Sequence, residues 1–153
     1  MISTPLTPGE FQRFCGTTLH RMSLWTERGY FGRARRRVGR GNARRYSVED
    51  VVVARILNQL SNFNFRDSRV LEAGRQGLAQ MVRRVCRQVR QERKPGEAYR
   101  DIAIVVVCGG VDRVCTAGPV AAAFLNRVLR VPSVCIPVTK MLETVERQIQ
   151  EDK

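Results

Sequence analysis

Apolar residues recur at intervals of three and four along much of this chain, and the places where that rhythm breaks mark out its elements. Phe11 and Phe14 stand three apart on one face of a short helix. That helix is expected to begin at Pro8, because Thr7 is a good N-cap and proline at the first helical position lacks only an N–H that would be orphaned there. Cys15-Gly16 interrupts the pattern, glycine being able to take the left-handed conformation of a tight turn. Thr17 or Thr18 then caps a second helix, in which Leu19, Met22 and Trp25 form an inward stripe until Gly29 stops it. From Tyr30 to Tyr46 the rhythm gives way to YFGRARRRVGRGNARRY, with Gly39, Gly41 and Asn42 gathered where a hairpin turn needs positive φ. Helical spacing returns at Ser47, which caps a strong helix with Asp50 three residues on, a short-armed capping box. Val48, Val51, Val52, Ile56, Leu57 and Leu60 supply its apolar face, and it should end near Asn62.

Residues 66 to about 93 read as one long helix, since Leu71, Leu78, Val82, Val85 and Val89 make a near-heptad seam, ended by Lys94-Pro95-Gly96. Such a seam packs either on its own domain or against a second subunit. Ile102 to Cys108 is a nearly uninterrupted run rich in valine and isoleucine, the mark of a buried strand. Gly109-Gly110 suggests a hairpin into Val111 to Thr116, and a helix from about Pro119 to Arg130 and a brief strand at Val134 to Ile136 follow. A last helix from Val138 to about Gln150 is lined on one side by Val138, Met141, Leu142, Val145 and Ile149. The expected fold class is α+β, mainly helical. Residues 1–65 form a winged helix-turn-helix, 66–93 a connecting helix, and 94–153 a small α+β portion for dimerisation or interaction. The final helix or the 66–93 helix would supply a dimer interface.

Charge sharpens this picture. The 153 residues hold 27 Lys and Arg against 14 Asp and Glu, a formal net charge of +13, and a field of that sign attracts polyanions. The excess is densest in residues 1–66, with 12 basic and 4 acidic side chains. Twenty-four of the 27 cations are arginine, whose planar fork suits phosphate and guanine edges; a genome rich in G and C would give the same bias. No apolar run approaches the roughly 20 residues needed to span a bilayer, and the start MISTP lacks the basic and apolar regions of a secretory signal. A soluble, cytoplasmic protein with no membrane partner is expected, nucleoid-associated when bound to DNA.

Other chemistry is thinly represented. The five cysteines, at 15, 86, 108, 115 and 135, form an odd set without CxxC spacing, which argues against a disulfide framework and a zinc ribbon. Cys108, Cys115 and Cys135 fall on predicted strands that could converge on a soft metal, but cysteine is among the most often buried residue types; no metal and no cofactor is expected. With one histidine and no P-loop or GxSxG run, no enzyme is expected either.

Three stretches, TPGEFQRFCG, LWTERGYF and ARRYSVEDV, make residues 4 to about 66 similar to the DNA-binding domain of the MerR-type regulators. The resemblance implies a two-helix reader with a wing that grips flanking backbone, Arg44 on phosphate and Tyr46 packed beneath the wing. It departs where the family has a Thr-Leu-Arg-Tyr-Tyr-like run, for here Arg21-Met22-Ser23-Leu24-Trp25 stands. The family's arginine contact thus falls on Ser23 and one backbone-binding tyrosine on Leu24. The helical wheel turns Thr17, His20, Arg21 and Leu24 outward, with Thr18 beside them, as the groove-facing set, and Arg21 can donate a bidentate pair to guanine. Arg33, Arg35, Arg36, Arg37, Arg40, Arg44 and Arg45 form the wing set, which neutralises phosphates. The expected function is a homodimeric, sequence-specific transcriptional regulator on a pseudo-palindromic site in double-stranded DNA. Its rival is an architectural protein, excisionase-like or chromosome-organising, that coats or bends DNA. A further alternative makes residues 94–153 a docking module for another protein.

Overall fold

Thr7 opens the first helix through a reciprocal pair of hydrogen bonds. Its Oγ1 accepts the Glu10 N–H at 3.3 Å while the Glu10 carboxylate accepts the Thr7 N–H at 2.7 Å, satisfying two amides that a helix start leaves orphaned. Helix α1 spans Pro8–Cys15 and ends on Gly16 at φ 62°, the left-handed value that closes a helix. Helix α2, Leu19–Glu27, is capped by Thr18, whose hydroxyl accepts the Arg21 N–H at 3.3 Å. Helix α3, Val48–Asn62, starts from Ser47, with Ser47 Oγ accepting the Asp50 N–H at 3.2 Å and Asp50 accepting the Ser47 N–H at 3.0 Å. Helices α4, Ser68–Glu92, and α5, Val138–Glu151, flank strands β1, Ile102–Val107, β2, Cys115–Pro119, and β3, Ser133–Ile136.

The computed structural model describes residues 5–32, 44–62, 68–107, 115–119 and 133–152. The wing expected between Tyr30 and Tyr46 therefore lies largely outside the described residues, as do the turn at Gly109-Gly110 and the helix expected after Pro119. Within them the protein is mainly helical, with a small antiparallel sheet ordered β2-β1-β3.

The sheet corrects one expectation. A strand is expected over Val111 to Thr116, whereas the described strand β2 is Cys115–Pro119, with Val106 opposite Cys115 and Ile102 opposite Pro119. The pairing continues through Ala117-Gly118-Pro119, residues that are poor strand formers by type. On the other side of β1, Ile104 pairs with Ile136 and Val105 with Cys135.

Helix α3 is the centre of the molecule. Val51, Val52, Val53, Ala54, Ile56 and Leu57 are all buried, which leaves it enclosed on more sides than its predicted stripe, because α1, α4 and α5 all pack on it. Leu78, Val82, Val85 and Val89 of α4 and Val138, Leu142, Val145 and Ile149 of α5 belong to the same continuous core. From Leu78 to Val89 the seam of α4, like the apolar face of α5, packs within this chain.

Polar groups register these helices. Arg90 of α4 hydrogen-bonds Glu49 of α3 and holds its Nε 3.2 Å from the Glu146 carboxylate of α5, and Tyr99 Oη donates to Glu146 at 2.6 Å. Burial alone would push Glu49 up; hydrogen bonding at the helix start and the Arg90 charge outweigh it and hold the carboxyl below its ordinary value. At the sheet, Thr139 Oγ1 accepts the Ile102 N–H at 2.6 Å and donates to the Ile102 carbonyl at 2.9 Å, tying the first turn of α5 to β1. Among the described residues no helix is long and apolar enough to cross a membrane.

Candidate nucleic-acid interface

The turn between α1 and α2 is built by α3. A helix leaves its last carbonyls without intrahelical donors, and here Arg55 Nε donates to the Phe14 carbonyl at 2.8 Å and Asn58 Nδ2 to the Cys15 carbonyl at 3.0 Å. Sequence reasoning missed both residues. Their signal was present, since Arg55 and Asn58 are polar, three apart, in an otherwise apolar stretch of α3, but the partners lie some forty residues away.

The far end of α2 is held in the same way by α4. Gln76 Nε2 donates to the Arg28 carbonyl at 3.4 Å, and Arg83 donates to the Tyr30 carbonyl. Gly29 makes the intervening turn at φ 71°. Met22 and Trp25 face the core beneath, where Phe11 stacks on Tyr46 with centroids 4.1 Å apart and Phe31 meets Phe11 edge-on at 5.1 Å. Tyr46 is buried and bridged to Leu6 through paired backbone hydrogen bonds of 2.8 and 3.0 Å.

What α2 leaves in solvent is Thr18, Leu19, His20, Arg21, Ser23 and Glu27. The structure therefore brings Thr18, His20 and Arg21 together on one exposed helix start, as the sequence indicated. Two positions are corrected. Thr17 is buried, 7% exposed, because α2 begins only at Leu19 and Thr17 sits inside the turn, where a helical wheel does not apply. Leu19, expected in the core, is 57% exposed, since it is the first residue of the helix and overhangs the packed part of it. Leu24 is half-buried.

Arg21 Nη1 lies 3.5 Å from Asn58 Oδ1, a long contact that leaves most of the guanidinium's donors to other partners. Thr18 Oγ1 accepts as a cap, and its own proton remains available to an acceptor outside the helix. Ser23 donates to Glu27 at 3.2 Å, so this exposed stripe carries a carboxylate where the family resemblance placed an arginine contact.

One carboxylate joins the two roots of the arginine-rich segment. Gly32 N–H donates to Asp50 Oδ1 at 2.9 Å, Ser47 N–H donates to Oδ2, and Arg83 stands 3.9 Å from the same carboxylate. Arg44 is half-buried and Arg45 exposed; Arg33, Arg35, Arg36, Arg37 and Arg40 lie outside the described residues. The first 66 residues carry eight more positive than negative side chains.

Nothing comparable gathers for a metal. In the sheet Cys115 is paired with Val106 and Cys135 with Val105; Cys108 lies outside the described residues. Among the described residues no cluster of three potential ligands occurs. In comparisons with known proteins, no family model and no curated protein matches the chain.

Proposed function

We propose that the protein is a sequence-specific DNA-binding regulator of the winged helix-turn-helix kind, acting as a homodimer on a pseudo-palindromic site. The observation that carries the reading is the exposed start of α2, where Thr18, His20 and Arg21 stand together on a helix entered from a turn whose α1 carbonyls are held by α3 and left through one held by α4. Recognition helices place their N-terminal residues on base edges, and a braced helix loses little entropy on docking. Arg21 reads a base, while Arg44, Arg45 and the arginines of 33–40 engage phosphates. A dimer places two heads one helical turn of DNA apart, or a multiple of it.

A second reading, an architectural protein that coats or bends DNA, is favoured by one observation. The Ser23 to Glu27 pair puts a carboxylate on the exposed stripe of α2, weakening the grip of the reader on a polyanion. Selection of sites from a random duplex pool at about 150 mM salt, where screening has weakened non-specific binding, separates the two. An inverted repeat of fixed spacing supports the regulator; tight, steeply salt-dependent binding without enrichment supports the architectural protein.

A further inference from the structure

Leu19 is the large apolar side chain that the described fold leaves in water, at 57% exposed. Its position makes it more than a stray surface leucine. It is the first residue of α2, and side chains in a helix lean toward the N-terminus, so Leu19 leads the helix into whatever its start approaches. Its neighbours Thr18, His20 and Arg21 are exposed and polar or basic, which suits a polyanionic surface rather than an apolar protein groove. In the major groove of DNA one base presents an apolar group beside hydrogen-bonding edges: thymine, through its 5-methyl.

We infer that Leu19 is a specificity-determining residue that packs on a thymine methyl in the major groove, giving each half-site one position where thymine is preferred for its methyl group. The inference rests on α2 being the base-contacting helix. Its chemistry differs from that of Arg21, because an apolar contact on a methyl is indifferent to the donors and acceptors that a guanidinium reads. Removing the methyl alone should therefore weaken binding, with every Watson–Crick group left in place.

The test uses the full chain and the duplex it enriches from the random pool. Each thymine is replaced in turn by deoxyuridine, which lacks only the methyl, and affinities of the wild type and of Leu19→Ala are compared by fluorescence anisotropy. The wild type is expected to lose about fourfold at one thymine per half-site, the loss that corresponds to one buried methyl-sized group, and Leu19→Ala should lose nothing further there. Circular dichroism should show Leu19→Ala as helical as the wild type, since the residue is exposed. An enriched site whose binding ignores deoxyuridine everywhere, or a Leu19→Ala protein as sensitive to it as the wild type, overturns this inference and leaves the regulator standing. A protein that enriches no duplex overturns both.

Discussion

The Asp50 carboxylate accepts the Gly32 N–H at 2.9 Å, so a residue in the first turn of α3 fixes the point where the chain leaves α2 for the arginine-rich segment. Its other oxygen takes the Ser47 N–H at 3.0 Å, where the chain has returned, and one side chain thereby holds both roots. Asp50→Ala should strand both amides and lower the unfolding free energy by about 2–3 kcal/mol. Gly32→Ala should change it by less than about 0.5 kcal/mol, because an added Cβ meets Asp50 Oδ1 at 3.7 Å, an ordinary contact. Gly32→Pro removes the donor and should be more costly than Gly32→Ala. Urea unfolding of the three variants checks the series, and a costly Gly32→Ala would show that space at Gly32, not its N–H, is what matters.

Arg90 stands between two carboxylates from different helices, Glu49 and Glu146, each side chain only 10% exposed. Arg90→Met should leave two buried anions without their cation, a loss of about 3–5 kcal/mol at pH 7. The pH dependence fixes the cause. Glu49 titrates below its ordinary 4.5 in the folded protein, so its contribution is present above that pH and is lost as pH falls through the lower folded value. Protonation of Glu49 also relieves the anion that Arg90→Met leaves unpaired, and the stability gap between variant and wild type should narrow from pH 5 toward pH 3. A gap that stays constant would assign the effect to lost packing of the arginine stem.

The caps were legible in the sequence because they are local. Thr7 with Glu10, Thr18 with the Arg21 amide, and Ser47 with Asp50 are each three residues apart, within reach of any reading of helix starts. The far part of β2 was not legible, since Ala117, Gly118 and Pro119 are poor strand formers by type. Leu19 misled because the 19, 22, 25 interval is helical, yet periodicity does not say where the packed part of a helix begins. Arg55 and Asn58 showed as polar breaks in an apolar helix but not what they bind, and Arg83 and Arg90 did not stand out at all: each finds its partner on a different element, and single arginines in a basic chain look alike. The chain read as a surplus of cations for DNA, and the fold uses several of them on carbonyls and carboxylates instead.

Thiol reactivity offers a test of the packing that does not depend on function. Cys15 and Cys86 are buried, and burial pushes both thiols up, Cys86 with help from the nearby Glu49 charge; only the thiolate reacts. Cys135 is exposed on β3. In the folded protein at pH 8, a maleimide should label Cys135 within minutes while Cys15 and Cys86 stay unmodified until denaturant is added. Peptide mapping by mass spectrometry reads the order, and early labelling of Cys86 would contradict the enclosure of α4 between α3 and α5.

The division of labour between the reader and the arginine-rich segment makes the last prediction. Arg21 is exposed and its side-chain contact among the described residues, to Asn58, is long at 3.5 Å, so Arg21→Ala should leave stability within about 0.5 kcal/mol of the wild type. On DNA it should relax preference at a single base pair, costing about 1–3 kcal/mol on the selected site and little on random duplex. Arg44→Ala should instead weaken both duplexes alike and reduce the slope of log K against log salt by about 0.9, the value of one phosphate contact. Anisotropy titrations of both variants on both duplexes across a salt series give all four numbers. Equal losses for Arg21→Ala on selected and random DNA would remove it from base reading and shift the function toward coating or bending. An unchanged salt slope for Arg44→Ala would mean that its half-buried guanidinium serves the fold and not the phosphates.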